Sequence, residues 1–215
     1  MPSLFSAFGR SLALLGACAA LAACADLPSS RPAPLETSAH PVAMAVRGPA
    51  IPPAGLIGFC AKYLSECKTV ADSGSVVVAL DGRRRQELEM VQAKVNAAIE
   101  PRDIPGNVWS YPVDGTGECN QYALEKRREL IALGWPREAL LLTAALTEGG
   151  EGHLVLVART SAGDLVLDNR LAPVVDWRYL PYHWLTQQTP QSLAEWVSID
   201  AAPARLASAD QRHLL

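Results

Sequence analysis

The sequence predicts an α+β domain, in which helices come first along the chain and an antiparallel sheet follows. Two helical stretches, residues 86–100 and 119–133, precede three strand-like runs at residues 139–146, 153–159 and 165–169. The segments between these runs are rich in glycine and other turn-forming residues, which is typical of hairpin loops. Because hairpins join neighbouring strands that run in opposite directions, the three runs are expected to form one antiparallel sheet.

Each element before the sheet is indicated by its own local pattern. Residues 76–80 are apolar and precede a turn, which indicates either a short strand or an extended lead-in. Residues 86–100 carry apolar side chains at helical spacing, and Pro101 marks the end of that helix. From residue 119 onwards, strong helix formers continue to Gly134, which marks the end of the second helix.

The composition is that of a globular protein and gives no sign of a nucleic-acid partner. The 215 residues are 49% hydrophobic and 19% charged, and the net charge at pH 7 is -3. The basic run at residues 83–85 is short enough to be a surface turn. Binding to DNA or RNA is therefore not expected. After the N-terminal stretch, no segment of the sequence is long and apolar enough to span a bilayer.

The first 23 residues have the features of an export signal. Arg10 precedes an apolar stretch that ends in small residues, as in a signal peptide. The run LAAC at residues 21–24 also matches a lipobox, which predicts that Cys24 is lipidated and attaches the protein to a membrane through that lipid alone. The alternative is ordinary cleavage near residues 23–25, giving a soluble exported protein. Both versions predict export, and the lipid-anchored periplasmic form is favoured.

Three segments follow the signal peptide. Residues 24–55 are rich in Pro, Ala and Ser and have no apolar period, which predicts an extended, mobile tether. The folded domain is expected over residues 56–200, a usual size for a single domain. Residues 201–215 are expected to form a frayed tail.

The five cysteines divide into groups by position. Export removes Cys18, and lipidation would consume Cys24, which leaves Cys60 and Cys67 as a candidate pair and Cys119 as the odd thiol. In one continuous helix, residues seven apart lie about 10 Å from each other along the axis, too far for a disulfide. We therefore expect the chain to turn before Cys67 so that the disulfide can close. Two unpaired buried thiols are the alternative.

The position of Cys119 suits a nucleophile. Unpaired backbone N–H groups and the positive end of the helix dipole meet at the start of a helix, and both favour a thiolate over a thiol. The structural alternative is an inert buried cysteine, because cysteine is among the most buried residue types. The position alone does not decide between them.

Two further residues favour the catalytic alternative. His153 opens one strand and Asp168 lies near the end of the next, with the hairpin hinge expected at Thr160-Ser161 between them. The two are therefore predicted to be cross-strand neighbours within hydrogen-bonding reach, although a slip of one residue would turn one of them to the other face. The chain order cysteine, histidine, aspartate on a helix and two strands favours a catalytic triad over three separate structural roles.

The sequence around these residues resembles the bacterial transglutaminase-like cysteine proteinases, the LapG-like family. The matching blocks are ECNQYA at 118–123, KRR at 126–128, GWP at 134–136, GEGHLVL at 150–156 and GDLVLDN at 163–169, with VQAKVN at 91–96 and YHW at 182–184. The resemblance implies a papain-like, transglutaminase-type fold, in which the nucleophile helix packs on an antiparallel sheet. It also implies Cys119 as nucleophile, His153 as base and Asp168 as the orienting acid.

The residues that flank Cys119 match the calcium-dependent members of the family less well. Calcium-dependent members of the family carry the acidic cluster Asp-Cys-Glu-Asp around the nucleophile. Here Glu118, Asn120 and Gln121 occupy the equivalent positions, so one of three carboxylates remains. Calcium requires several oxygen ligands, usually with charge. Glu118 is therefore left as a calcium candidate, and no other cofactor is expected.

Three functions are compatible with these observations. The first is a cell-envelope peptidase or amidase that cleaves a protein substrate through an acyl-enzyme. The second is transfer of the acyl group to an amine, as in transglutaminases. The third is a non-catalytic envelope lipoprotein that binds a protein or peptide in the same groove. The intact cysteine, histidine and aspartate favour the first.

Overall fold

The computed structural model describes residues 43–70, 75–106 and 108–199. The predicted signal peptide, the predicted lipidation site Cys24, most of the predicted tether and the predicted tail lie outside the described residues. Among those that are described, the helices are α1 (Gly55–Lys62), α2 (Gly82–Ala98) and α3 (Cys119–Ala132). The strands are β1 (Val46–Ala50), β2 (Glu100–Pro101), β3 (Thr116–Gly117), β4 (Leu140–Leu146), β5 (Gly152–Thr160), β6 (Gly163–Leu167), β7 (Val175–Asp176), β8 (His183–Thr189) and β9 (Ser192–Ile199).

Seven of these strands form one antiparallel sheet, in the order β1-β9-β8-β4-β5-β6-β7. Its central strands, β4 and β5, are buried along most of their length, which explains why their sequences are nearly continuous apolar runs. Helix α3 packs against β5, and α2 packs against α3. The predicted α+β class, with a helix on an antiparallel sheet, is confirmed.

The two long helices begin and end at recognisable signals. Helix α2 begins four residues before the predicted start, because the Asp81 carboxylate caps it by accepting a hydrogen bond from the Arg84 N–H at 2.7 Å. It ends at Ala98, shortly before Pro101 as expected. Helix α3 is followed by Gly134, whose φ of +81° is in the left-handed region that glycine adopts most readily. None of the described helices has both the length and the apolar character needed to cross a bilayer.

The sheet is wider than the sequence pattern predicts. Strand β1 lies inside the stretch predicted as tether, residues 24–55, and pairs with β9. Most of its side chains are exposed, so the strand is held by backbone pairing and carries no apolar alternation that would have revealed it. Strands β8 and β9 follow the last predicted strand and complete the sheet on the same side.

The structure contains the disulfide between Cys60 and Cys67, whose Cα atoms are 5.5 Å apart. Helix α1 ends at Lys62, and a turn over residues 64–67 brings the second cysteine back towards the helix. This is the change of direction that the spacing of seven residues requires. Both cysteines pack against the main core, so the disulfide joins this surface turn to the interior.

Candidate active site

The start of α3 is held by a reciprocal cap. The Glu118 carboxylate accepts a hydrogen bond from the Gln121 N–H, and the Gln121 side-chain oxygen accepts one from the Glu118 N–H at 2.9 Å. This capping box satisfies N–H groups that the first helical turn would otherwise leave unpaired. At Gly117, a Cβ would lie 2.7 Å from the Gln121 Cβ, so only glycine fits there. Together these features fix the backbone on both sides of Cys119.

The same two side chains also hold the neighbouring loop. Glu118 Oε1 accepts a hydrogen bond from the Ile104 N–H at 2.5 Å, and Gln121 Nε2 donates to the Val108 carbonyl at 3.0 Å. The Arg102 N–H in turn donates to the Gly117 carbonyl at 3.1 Å. The segment that forms one wall of the cleft is therefore attached directly to the first turn of the nucleophile helix.

The side chains beside Cys119 offer few free oxygens to a calcium ion. The Glu118 carboxylate is committed to the cap and to Ile104, and the Gln121 oxygen is committed to the Glu118 N–H. Asn120 Oδ1 is buried and has no hydrogen-bond partner, which leaves one neutral oxygen where calcium requires several ligands. Within the described residues, no group of three or more His, Cys, Asp or Glu side chains could hold a metal ion.

His153 and Asp168 are joined by a hydrogen bond. Nε2 of the imidazole lies 2.9 Å from Oδ1 of the carboxylate, and both side chains are buried. In the β5–β6 ladder, Leu156 pairs with Leu167, so the pairing is offset by two residues from the one that the sequence predicts. An offset of two keeps both side chains on the same face, whereas an offset of one would have separated them. The predicted neighbours therefore meet diagonally.

Asp168 is held from several sides. Its Oδ1 also accepts a hydrogen bond from the Arg170 N–H at 2.9 Å, and its Oδ2 accepts one from the Tyr182 hydroxyl at 2.6 Å. Its backbone carbonyl accepts hydrogen bonds from the side-chain amides of Gln92 at 2.7 Å and Asn96 at 3.2 Å. Helix α2 thus supports the loop that follows β6, and Asp168 as a whole is 1% exposed.

The surroundings of His153 and Asp168 favour the charged form of both side chains. Burial opposes a charged imidazole, but hydrogen bonds to Asp168 and Cys119 outweigh it and raise the pKa of His153 to about 9. Burial likewise opposes the Asp168 carboxylate, but its hydrogen bond to His153 and the charge of the imidazolium lower the pKa of Asp168. Near neutral pH, the site therefore holds an imidazolium against a carboxylate.

Cys119 completes the constellation on the other side of the imidazole. Among the described residues it is the free cysteine, and it is partly exposed. Because Nε2 of His153 faces Asp168, the ring's other nitrogen, Nδ1, is the one left for the Cys119 sulfur. The structure thus brings together Cys119, His153 and Asp168, the three residues that the sequence predicts as a catalytic triad.

A cleft of about 540 Å³ gives access to two of the three residues. Its lining includes Cys119 and His153. The other lining residues are Pro53, Pro101, Arg102, Asp103, Trp109, Gly117, Glu118, Asn120, Ala144, Ala145, Gly152, Leu154, Asn169 and Leu185. Asp168 lies behind the histidine, away from the cleft. This arrangement exposes the sulfur and the imidazole to a ligand and keeps the carboxylate out of water.

Several residues at this site carry no sequence pattern that assigns them a role. In the sequence, Tyr182, Gln92 and Asn96 occur only as members of matching blocks, without a role of their own. Their contacts with Asp168 join segments more than ten residues apart, which no local pattern reports. Lys126 is also buried behind the site, on the same helix as Cys119. Its neighbours from Glu125 to Glu129 are all charged, so no local pattern marks it as the buried one.

The family model of the bacterial transglutaminase-like cysteine proteinases (BTLCP) matches residues 46–204. This range begins at β1, extends beyond β9, and contains the cysteine, the histidine and the aspartate of the site. None of the curated proteins compared with the chain matches it.

Solved structures of LapG from Legionella pneumophila are similar to the chain. The calcium-bound LapG is 25% identical with a TM-score of 0.47, covering 52% of this chain and 67% of that chain. A second LapG structure is 24% identical with a TM-score of 0.46 and the same coverage. An EGTA-treated LapG is 27% identical with a TM-score of 0.43, covering 47% of this chain and 61% of that chain.

Proposed function

Because the chain belongs to the bacterial transglutaminase-like cysteine proteinase family, we propose that it is a peptidase that cleaves a protein substrate through an acyl-enzyme. The observation that carries the proposal is the buried 2.9 Å bond between His153 and Asp168 beside the free thiol of Cys119 in one cleft. A nucleophile, a base and a group that orients the base are the parts that such a reaction needs.

In the first half of the proposed reaction, the Cys119 thiolate attacks the carbonyl carbon of a substrate amide. Backbone N–H groups at the start of α3, including that of Cys119, stabilise the negative charge on the carbonyl oxygen. The His153 imidazolium then gives its proton to the leaving nitrogen, the C–N bond breaks, and an amine leaves. The product that remains on the protein is a thioester.

In the second half, neutral His153 takes a proton from a water molecule as the oxygen attacks the thioester. The C–S bond breaks, the carboxylic acid product leaves, and the Cys119 thiolate and the imidazolium are restored. Asp168 keeps the imidazole in one orientation throughout and compensates its charge. No step of this scheme is routed through a metal, and Glu118 remains the calcium candidate beside the nucleophile.

Transglutaminase-type transfer would share the first half of this reaction and differ only in the nucleophile of the second. An amine would then attack the thioester in place of water. A binding protein, in contrast, needs neither an activated thiol nor a charged imidazole beside it. Hydrolysis is the simplest reaction for a thioester in an aqueous cleft, and the experiments below separate it from both alternatives.

We also propose that the protein acts in the cell envelope as a lipid-anchored periplasmic protein. The support is the signal-like stretch before Cys24 and the Cys60–Cys67 disulfide, since disulfides persist mainly outside the reducing cytosol. Cells fed a labelled fatty acid should label the wild-type chain and not Cys24→Ala. A wild-type chain that is exported without label would contradict the lipid anchor and favour ordinary cleavage.

The peptidase proposal is tested by comparing envelope protein fragments from cells that carry the wild-type chain or Cys119→Ala. We expect new protein N-termini in the wild-type sample alone, and these would also give the cleavage specificity. New isopeptide cross-links without new N-termini would instead indicate acyl transfer. Identical samples, with Cys119→Ala still complementing a deletion, would support the binding protein.

A second test measures the reactivity of the thiol directly. Iodoacetamide should alkylate Cys119 quickly at mild pH, and His153→Ala should slow that reaction strongly. His183→Ala is the matched control, because His183 is exposed at the start of β8. Slow alkylation that is the same in all three proteins would contradict an activated thiol.

A further inference from the structure

Asp168 has a buried carboxylate, so both of its oxygens need partners. Oδ1 faces His153 and accepts the Arg170 N–H, and Oδ2 accepts the Tyr182 hydroxyl at 2.6 Å. A hydrogen bond from a hydroxyl to an ionised carboxylate is among the stronger hydrogen bonds in proteins. The short bond to Oδ2 therefore fixes the carboxylate plane, and with it the direction in which Oδ1 points.

Tyr182 also touches the histidine itself. The two rings meet edge to face, with centroids 5.6 Å apart and planes at 79°. The tyrosine ring also packs against Trp184, again edge to face, with centroids 5.6 Å apart. One side chain thus contacts two members of the candidate triad, one through its hydroxyl and one through its ring.

The neighbouring strands explain how Tyr182 reaches both residues. It lies directly before β8, and β8 pairs with β4 and not with β5. On β4, Ala145 lies opposite His153 on one side and opposite Trp184 on the other. A small residue at that position leaves room between the two strands for a tyrosine ring beside the imidazole.

We propose that Tyr182 is a positioning residue that acts on Cys119 through Asp168 and His153. Its hydroxyl holds Oδ2 of Asp168 so that Oδ1 faces the imidazole, and its ring limits rotation of the imidazole on one side. The inference rests on the proposed function, because it assigns a role within that reaction. It adds a fourth side chain, from a different part of the chain, to the three that the reaction uses directly.

Loss of the hydroxyl would leave Oδ2 without this bond in a buried position. The carboxylate would then hold its charge less well and turn away from the imidazole, which weakens its support for the imidazolium. The other charged or titratable groups facing the pair are Cys119 and Lys126 on α3 and Arg170 after β6, and they are unchanged by this substitution. The pKa of His153, raised to about 9 in the wild type, should therefore fall.

The test is an NMR titration of the His153 imidazole in the full chain, which needs no substrate. Tyr182→Phe keeps the ring contacts and removes only the hydroxyl, and we expect the pKa of His153 to fall by on the order of one unit. Against a substrate found in the fragment comparison, kcat should fall about tenfold with KM unchanged. Tyr179→Phe is the matched control, because Tyr179 is 68% exposed, and it should change neither quantity.

A cycle with Asp168→Asn tests whether Tyr182 acts through the carboxylate. Once Asp168 is replaced by Asn, we expect Tyr182→Phe to change the pKa of His153 little further. The hydroxyl that it removes would no longer be bound to a charged carboxylate. Equal and additive effects in both backgrounds would overturn the proposal. So would a pKa of His153 that is the same in folded Tyr182→Phe and in the wild type.

A second measurement leaves Tyr182 in place, in case Tyr182→Phe does not fold. Burial and the bond to Asp168 raise the pKa of Tyr182, so Asp168→Asn should lower it. A tyrosine titration that is the same in both proteins overturns the proposal. Failure of the peptidase proposal would be distinguishable, because the fragment comparison would then be negative while the two titrations still report the contact.

Discussion

Arg127 and Lys126, two adjacent basic residues in the middle of α3, are both buried, but they differ in whether their charged groups have hydrogen-bond partners. The Arg127 guanidinium donates to the Leu140 carbonyl at 3.2 Å and to the Glu66 carboxylate at 3.3 Å. The Lys126 ammonium is fully buried and has no hydrogen-bond partner among the described residues, with the ring of Tyr122 5.9 Å away. Consecutive residues of one helix thus carry a compensated charge on one side and an uncompensated charge on the other.

The difference follows from what each side of the helix faces. Arg127 faces the turn closed by the Cys60–Cys67 disulfide, where Glu66 supplies the opposite charge. Lys126 lies nearer the active site, and burial lowers its pKa to about 7 although the charge of Asp168 opposes that shift. A well-packed apolar side chain at that position would avoid the cost of burying a charge. The structural side of α3 is therefore satisfied, whereas the side towards the triad retains an unfavourable charge.

Among the substitutions that test this comparison, Arg127→Met is expected to have the largest effect on stability. The substitution keeps much of the side-chain volume but leaves the Leu140 carbonyl and the Glu66 carboxylate without their shared donor. We expect the free energy of unfolding to fall by about 3 kcal/mol. Urea denaturation followed by circular dichroism measures it. A loss below the error of that measurement would show that the buried ion pair does not stabilise the fold.

The second test opens the turn that holds Glu66. Replacing both Cys60 and Cys67 by Ser removes the disulfide and should lower the free energy of unfolding by about 2 kcal/mol, mainly through the entropy of the unfolded chain. Part of the loss should come from a less ordered Glu66, so the double substitution should cost less in the Arg127→Met background. Equal losses in both backgrounds would mean that the disulfide and the ion pair are independent.

The third test, Lys126→Met, should have the opposite sign. A methionine fits the buried position without a charge, so we expect the free energy of unfolding at pH 7 to rise by about 2 kcal/mol. Urea denaturation beside the Arg127→Met variant provides the comparison, since the two residues are adjacent and receive the same replacement. A destabilised Lys126→Met would show that the ammonium has a partner that compensates its burial.

The stability that Lys126→Met is expected to add should depend on pH, because it comes from removing the charge of Lys126. A pKa of about 7 in the folded chain, below the ordinary 10.5, makes the unfolded state bind more protons between those values. The penalty of Lys126 is thus full below pH 7 and disappears as the pH rises towards 10.5. His153 contributes in the opposite direction, because its raised pKa stabilises the fold below pH 6.5 and that stability is lost as the pH rises through about 9. The difference between Lys126→Met and wild type isolates the lysine.

The parts of the fold that the sequence predicts are those with strong local patterns. Helix α3 and strands β4 to β6 are regular and mostly apolar on their buried faces, and the structure contains them close to their predicted bounds. The approach of His153 to Asp168 followed from the alternation of side chains in a hairpin, which survives an offset of two residues. Local periodicity thus carried enough information to place two of the three site residues near each other.

The parts that were missed depend on contacts between distant segments. On β8, Gln187 and Gln188 are buried although glutamine is normally exposed, because their amides bond to the Thr143 hydroxyl at 3.0 Å and to the Leu142 N–H at 3.1 Å. A polar strand of this kind has no apolar alternation to read. The Tyr182–Asp168 bond and the unpaired Lys126 are likewise properties of the assembled structure.

The smallest expected effect comes from a third cation, Lys94 on α2, which sharpens the comparison from outside the core. Its ammonium lies 2.8 Å from the Glu129 carboxylate on α3, a shorter contact than the one between Arg127 and Glu66, but its side chain is 59% exposed. Solvent screens such a pair, so Lys94→Met should change the free energy of unfolding by less than about 0.5 kcal/mol. The measurement is the same urea titration, at low and at high salt. A loss as large as that of Arg127→Met would mean that distance, and not burial, decides what an ion pair contributes in this protein, and the contrast between Lys126 and Arg127 would then need another cause.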